Sequence, residues 1–259
     1  MKAMGPLRWV GARLARYLSR ERPALATVAT SRPELLQATL RPGDVLLVEG
    51  TSRFSSAIKY LTQSTWSHAA LFVGDAIDGD SLSSERRCLV EADVNEGVRA
   101  VPLGQYALHH TRICRPVGLD AGDLDAVIGY MASRIGDQYD LRNIVDLARY
   151  LITTPPVPER MRRHMLALGS GDPTRAICSS LVAQAFQSIS YPVLPEVEVR
   201  EREQSGGPGR IEEIHHTRHH TLFAPRDFDV SPYFEIVKPR LVQAFDHRHL
   251  NWAHTNSAG

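Results

Sequence analysis

The stretch Arg175-Ala-Ile-Cys178-Ser-Ser-Leu-Val-Ala-Gln-Ala-Phe186 runs from a short polar segment into an apolar one. The apolar residues recur at the spacing of one helix face: Leu181, Val182, Ala185 and Phe186. Serine suits the first turn of a helix better than its middle, so the pattern predicts a helix that begins near Cys178. Free backbone N–H groups and the helix dipole stabilise a thiolate there, which makes Cys178 a candidate nucleophile. The alternative is a small, buried, apolar cysteine.

A histidine opens the next informative segment, His68-Ala-Ala-Leu-Phe-Val73, which reads as a buried strand closed by a Gly-Asp turn. The following strand, Cys88-Leu-Val-Glu91-Ala92, carries an acidic residue in an apolar run, which is costly unless the carboxylate is paired. Two neighbouring strands would place Glu91 beside His68, and the generalised triad logic then predicts a Cys–His–Glu arrangement. The alternative is a core histidine with satisfied hydrogen bonds and a glutamate that faces water.

Five short motifs occur in an order that is typical of a known family. They are Arg41-Pro-Gly-Asp-Val-Leu-Leu47, Trp66-Ser-His68-Ala-Ala-Leu-Phe-Val-Gly-Asp75, Leu89-Val-Glu91-Ala92, Gly136-Asp-Gln-Tyr139-Asp140 and Ala176-Ile-Cys178-Ser-Ser180. Papain-like enzymes have the cysteine before the histidine, whereas the order here is His68, Glu91, Cys178. Over roughly residues 40 to 240, the chain resembles the permuted papain-fold cysteine hydrolases of the NlpC superfamily, in the YiiX/YebB-like branch.

The resemblance implies an α+β fold of the circularly permuted papain-like (NlpC) type, with a small antiparallel sheet packed against helices. It implies that catalysis rests on His68, Glu91 and Cys178, which match the family's histidine, acidic third residue and cysteine. In that family the Gly-x-x-Tyr-Asp region lines the cleft, so Tyr139 is a candidate substrate contact. The related lecithin retinol acyltransferase group has a second histidine in place of Glu91, which separates this chain from that group.

Composition narrows the classes of function. The 259 residues carry a formal net charge of +1, which gives no electrostatic case for a nucleic-acid partner. Cys88, Cys114 and Cys178 lack a CxxC spacing, which argues against a disulfide framework and a zinc–thiolate site. The histidines of His215–His220 could bind a metal adventitiously, but a dedicated site would need a carboxylate or thiolate partner in a rigid frame, so neither a metal nor another cofactor is expected.

Periodicity divides the chain into one domain, residues 40–240, with flanking segments at residues 1–39 and 241–259. Strands are predicted near residues 45–48, 68–73, 88–92, 98–101 and 111–115, and helices near residues 52–63, 121–135, 141–151 and 178–188. Residues 197–220 are charged and glycine-rich, which predicts a mobile loop. Residues 222–237 are predicted to pack back on the domain and end in a strand.

The N-terminal residues 1–22 have the pattern of a basic amphipathic helix with a narrow apolar face. Such a helix either lies on an anionic membrane surface or packs weakly on the domain in water. No run reaches the roughly 18 apolar residues of a transmembrane helix. Arginines interrupt the region where a secretory signal would need an apolar core. These patterns predict a cytoplasmic protein, with peripheral membrane contact as an option, and they leave the oligomeric state open.

The predicted function is acyl chemistry on a peptide, lipid or small-molecule substrate. Cys178 attacks an amide or ester carbonyl, His68 transfers the proton, and Glu91 orients His68. Trp66 and Ser67 flank the histidine and are further candidates for the cleft wall, although Trp66 suits the core equally well. Two alternatives stay open: an acyl- or lipid-binding module on the same fold without turnover, and a structural protein of the membrane surface.

Overall fold

The computed structural model describes residues 31–79, 86–138, 177–202 and 210–239, together with Arg20 and Ala29. The strands in these ranges are β1 (Val45–Val48), β2 (His68–Phe72), β3 (Arg87–Asp93), β4 (Gly97–Pro102), β5 (Thr111–Pro116), β6 (Glu196–Arg202), β7 (Arg210–His216) and β8 (Phe234–Val237). The α-helices are α1 (Pro33–Thr39), α2 (Arg53–Thr62), α3 (Ala121–Ser133), α4 (Ile177–Ser188) and α5 (Pro225–Val230), and 3-10 turns form at Leu103–Tyr106 and His220–Leu222.

Six strands form one antiparallel sheet in the order β4-β3-β2-β1-β5-β8. Strand β1 lies inside the sheet, between β2 and β5, and its Val-Leu-Leu-Val sequence is buried on both faces. Such an uninterrupted apolar run is the pattern of a strand covered from both sides. Strands β6 and β7 pair with each other in a separate two-stranded sheet.

The two faces of the large sheet carry different layers. Because side chains alternate along a strand, Val45 and Leu47 face the cluster formed with α3 and α4, while Leu46 and Val48 face the opposite cluster. Helix α4 packs directly on β2 and β3 as well as on α3. Helix α1 and the 3-10 turn at Leu103–Tyr106 supply the apolar residues of the opposite layer. The first residues of α4 therefore lie close to the strands that carry His68 and Glu91.

The predicted α+β class and antiparallel sheet are confirmed. Residues 197–220 differ from the predicted mobile loop, because much of this segment pairs as β6 and β7. The predicted helices over residues 1–22 and 141–151, and the tail at residues 241–259, lie outside the described residues. None of the helices that the structure describes is long and apolar enough to cross a bilayer. The domain boundaries stay a prediction.

Candidate active site

The register of the sheet brings His68 and Glu91 onto one face. Leu71 pairs with Val90 across β2 and β3, and continuing this antiparallel register sets Glu91 opposite Ala70. His68 lies two residues before Ala70, so its side chain points to the same face, diagonally across from Glu91. The His68 Nε2 and Glu91 Oε2 atoms are 2.9 Å apart. The proximity expected from two neighbouring strands is therefore observed.

Glu91 is 1% exposed, and each of its two carboxylate oxygens accepts at least one hydrogen bond. Arg99 is its direct cross-strand partner on β4 and donates from Nε to Oε1 at 3.0 Å, with Nη2 at 2.9 Å from the same oxygen. The Tyr106 hydroxyl donates to Oε2, the oxygen that also contacts His68. A buried carboxylate survives in its ionised form only with partners of this kind.

Cys178 is the second residue of α4 and is 5% exposed. It lines the same cavity as His68, and its interaction with the His68 ring raises the pKa of that ring. Nε2 of His68 is engaged with Glu91, which leaves Nδ1 available to the thiol. First-turn N–H groups of a helix have no partner within the helix, so they are available beside the thiol. The structure thus brings Cys178, His68 and Glu91 together in one cavity, with His68 hydrogen-bonded to Glu91.

The charges of these three residues favour an ion pair. Burial alone would lower the pKa of His68, but the negative charges of Cys178 and Glu91, with the hydrogen bonds to both, raise it well above its ordinary value. Burial alone would raise the pKa of Glu91, but the charge and hydrogen bond of His68 outweigh this effect. With further help from Tyr106 and Arg99, they lower the pKa of Glu91 to about 2. The arrangement therefore supports an imidazolium that is held against the ionised Glu91 carboxylate and lies beside Cys178.

A cavity of about 300 Å³ contains all three side chains. One wall is the loop and first turn of α2, with Thr51, Ser52 and Phe54. The opposite wall is the turn between β3 and β4, which contributes acidic side chains. The volume is at the small end for a ligand pocket, so it fits a short segment of a substrate around the thiol.

Ser67 and Trp66, which precede His68 in the sequence, line different cavities. Ser67 lines the cavity, and its hydroxyl accepts a hydrogen bond from the Gly50 N–H at 2.9 Å, which fixes the loop that forms the wall. Trp66 is buried and lines a separate cavity, where its indole N–H donates to Asp229 at 3.0 Å. Trp66 is therefore not part of the cleft wall around Cys178. Tyr139 lies outside the described residues.

Arg99 and Tyr106 were missed by the sequence analysis. A signal for Arg99 was present, since it is the one charged residue of the strand Gly97–Pro102 and a buried glutamate needs more than a histidine partner. No comparable signal marked Tyr106, because its contact with Glu91 depends on how the 3-10 turn packs under β3. Both residues line the cavity.

The other cysteines are built into the core. Burial raises the pKa of Cys88, and it raises that of Cys114 further still. Neither residue lines the cavity that contains Cys178. Among the residues that the structure describes, no group of three or more His, Cys, Asp or Glu side chains is arranged to hold a metal ion.

The chain is similar to several known proteins. Residues 39–150 match a family described as permuted papain-like amidase enzymes, YaeF/YiiX, C92 family. A curated relative, the probable lipoprotein peptidase YaeF from Escherichia coli strain K12, is 24% identical over 177 residues. That alignment covers 62% of this chain and 60% of YaeF. Among solved structures, the metalloprotein YiiX from Escherichia coli O157:H7 matches 76% of this chain and 96% of its own, at 16% identity and a TM-score of 0.43.

Proposed function

We propose that this chain, a YiiX-like member of the permuted papain-fold family, is a cysteine amidase in which Cys178 forms an acyl-enzyme. The observation that carries the proposal is that Cys178, His68 and Glu91 line one cavity, with His68 hydrogen-bonded to Glu91 and interacting with Cys178. A thiol, a base and an acidic residue that orients the base are the parts that nucleophilic catalysis needs.

In the first half of the reaction, the Cys178 thiolate attacks the carbonyl carbon of an amide and forms a C–S bond. The carbonyl oxygen becomes an oxyanion, which the N–H groups of the first turn of α4 stabilise. Collapse of this intermediate breaks the C–N bond. The His68 imidazolium gives its proton to the leaving amine, and a thioester remains on Cys178.

In the second half, neutral His68 takes a proton from a water molecule that attacks the thioester carbonyl. The C–S bond breaks, the acid leaves, and the thiolate–imidazolium pair is restored. Glu91 keeps its charge throughout, because its low pKa leaves it ionised at neutral pH. Its role is to hold the ring and to stabilise the imidazolium.

The proposed substrate is a peptide-type amide. The relative YaeF bears the name of a probable lipoprotein peptidase, which favours a peptide bond over an ester. Serine and threonine side chains along one wall of the cavity can hydrogen-bond a polar backbone. The small cavity volume favours an extended segment or chain terminus over a folded protein surface.

The test combines turnover with adduct mapping. The wild type and Cys178→Ala are incubated with peptidyl anilides and with thiol-reactive peptidyl probes, and modified peptides are identified by mass spectrometry. We expect adducts on Cys178 and a loss of turnover of at least about 10⁴-fold in Cys178→Ala. Cys88→Ala is the matched control and should retain turnover.

Two outcomes contradict the proposal. Turnover that survives in Cys178→Ala would place the chemistry on another residue. Adducts on Cys178 without turnover of any amide or ester would favour the acyl-binding module. Peptidyl esters run in parallel distinguish an amidase from an esterase on the same thiol.

A further inference from the structure

Glu91 is held by a second layer of residues that belongs to the same network. Oε1 receives both contacts from Arg99, and Oε2 receives those from His68 and Tyr106. The Tyr106 ring also lies against the His68 ring, with centroids 5.8 Å apart. The carboxylate therefore has no freedom to turn away from His68 without losing two other partners.

We propose that Arg99 and Tyr106 are positioning residues that keep Glu91 ionised and aimed at His68, and thereby maintain the reactive form of Cys178. This inference rests on the proposed thiol mechanism. Neither residue touches the thiol directly. Arg99 supplies the compensating positive charge at Oε1, and Tyr106 fixes the carboxylate rotamer through the other oxygen, Oε2.

The Arg99 guanidinium lies close to three carboxylates at once. It lies 2.9 Å from Glu96 and 3.9 Å from Asp93, in addition to Glu91. In the part of the chain that the structure describes, the titratable groups around Glu91 are His68, Asp93, Glu96, Arg99, Tyr106 and His109, with Cys178 beyond His68. Without Arg99, the three carboxylates of this set would have the imidazolium as their cation among the described residues that line the cavity.

Loss of Arg99 should raise the pKa of Glu91, because the positive charge of Arg99 lowers that pKa and burial raises it. In the wild type, Glu91 stays ionised down to a pKa of about 2. Without Arg99, burial and the neighbouring acids raise the pKa of Glu91, so it becomes protonated at a higher pH. Protonation removes the charge that stabilises the imidazolium, and the thiolate is lost with it. The defect must therefore grow as the pH falls.

The experiment measures the rate of Cys178 alkylation by iodoacetamide between pH 4 and 9 in the full chain. For Arg99→Gln, we expect the pKa of Glu91 to return toward its ordinary value of 4.5, which moves the acid limb of the profile upward. This lowers the alkylation rate by about fourfold at pH 4 and leaves it within about threefold of wild type at pH 8. Arg99→Lys restores the charge and should return the limb toward its wild-type position. Tyr106→Phe should move the limb in the same direction, because the Tyr106 hydrogen bond also lowers the pKa of Glu91.

Matched controls separate positioning from stability. Arg115→Gln removes an arginine from another buried pair, with Asp44, in which Nη2 and Oδ2 are 2.7 Å apart and the carboxylate is 1% exposed. Tyr191→Phe removes a hydroxyl that bonds to the Val117 carbonyl at 2.9 Å. Neither control residue lines the cavity that contains Cys178. Both variants should lower the unfolding temperature and leave the alkylation profile unchanged.

Profiles of Arg99→Gln and Tyr106→Phe that coincide with wild type overturn the inference, and so does a uniform loss at every pH. A wild-type Cys178 that labels no faster than Cys114 would instead sink the proposed function. The two failures are therefore distinguishable in one data set.

Discussion

At the scale of single residues, two histidine–glutamate pairs, one within the large sheet and one directly beyond the ends of its strands β1 and β5, allow a direct comparison. His68 Nε2 lies 2.9 Å from Glu91, and His110 Nδ1 lies 3.0 Å from Glu49. The first pair lines the cavity with Cys178, whereas the second lines the neighbouring cavity with Trp66. A histidine–glutamate pair therefore does not by itself indicate an active site. The Cys178 thiol beside His68 distinguishes the first pair from the second.

This comparison gives a prediction for reactivity. His68→Ala should lower Cys178 alkylation at pH 7 by about 10²- to 10⁴-fold, since it removes the base. Glu91→Gln should lower it by less, because the base stays in place and only charge and orientation are lost. His110→Ala is the matched control and should label like wild type. Competitive iodoacetamide labelling read by mass spectrometry checks all three, and wild-type labelling in His68→Ala would disprove the catalytic role of the histidine.

The ionisation of Glu91 also predicts how stability depends on pH. Its pKa falls from 4.5 to about 2 on folding, so its contribution is fully present above pH 4.5 and is lost as the pH falls toward 2. The shift corresponds to about 3 kcal/mol at neutral pH. His68 has the opposite sign: its raised pKa stabilises the fold below its unfolded value, and this contribution is lost as the pH rises through the folded value.

Urea unfolding of the wild type and Glu91→Gln at pH 7 and pH 3 measures this contribution. The free energy of unfolding should fall more steeply with acidity in the wild type than in the variant. Parallel losses in both proteins would mean that other carboxylates account for the acid sensitivity.

Of the partners of Glu91, the sequence predicts His68 but not Arg99 or Tyr106. An acidic residue in an apolar strand predicts a partner, and the nearest histidine on the next strand is a good choice. The partner Arg99 depends on the register of β3 against β4, and a one-residue slip would turn it to the other face. Tyr106 depends on tertiary packing of a short 3-10 turn, for which the sequence holds no local signal.

At the scale of elements, the turn between β3 and β4 is fixed to the end of α3. The Val98 N–H donates to the Asp137 carbonyl and the Gly136 N–H donates to the Val98 carbonyl, both at 2.9 Å. Gly97 has a φ of +76°, and a Cβ there would lie 2.3 Å from the Asp137 carbonyl oxygen. The close approach that holds this wall of the cavity thus requires a glycine.

Gly97→Ala should destabilise the protein by about 2–4 kcal/mol, through backbone strain and the clash together. Gly118→Ala is the matched control, with a φ of +79° and no atom within 4 Å of the added Cβ. It should cost only about 1–2 kcal/mol, the strain alone. Thermal and urea unfolding give both values, and equal costs would show that α3 yields to the added methyl group.

The strands β6 and β7 pair in a segment that the sequence analysis predicted to be a mobile loop. Val197 and Val199 alternate with acidic residues, which is a strand signal, but the glycine-rich stretch between the two strands outweighed it. In the described part of this ribbon, the side chains of residues 196–198 and 214–216 are exposed or half-buried, whereas all of β1 is buried. By contrast, β1, β2 and β3 lie inside the large sheet, and their apolar runs were predicted within one or two residues.

At the scale of the whole molecule, the order of elements made the fold predictable. His68, Glu91 and Cys178 occur in this order along the chain, and the strands that carry the first two precede the helix that carries the third. The pairing of β8 with β5 joins segments more than a hundred residues apart, and local patterns do not specify such a contact. The sequence therefore predicted which segments are helices or strands, but it did not predict which strands pair at the edges of the sheet.

The N-terminal segment provides the last prediction. The first residue of either core cluster in the described part of the chain is Leu36, and the cavity with Cys178 is lined by residues from Val48 onward. Deletion of residues 1–22 should therefore leave both the unfolding temperature and Cys178 alkylation unchanged. We propose that the deleted segment, with its arginines beside a narrow apolar face, attaches weakly to anionic membranes.

Co-sedimentation tests this attachment with vesicles that contain phosphatidylserine and with purely zwitterionic vesicles. The full chain should sediment only with the anionic vesicles and should be released as the salt concentration rises, because screening shortens the range of the attraction to about 8 Å or less at and above physiological ionic strength. The truncated chain should remain in the supernatant under every condition. If truncation instead unfolds the protein, the segment contributes to the core. If both chains sediment alike, the membrane contact lies elsewhere on the surface.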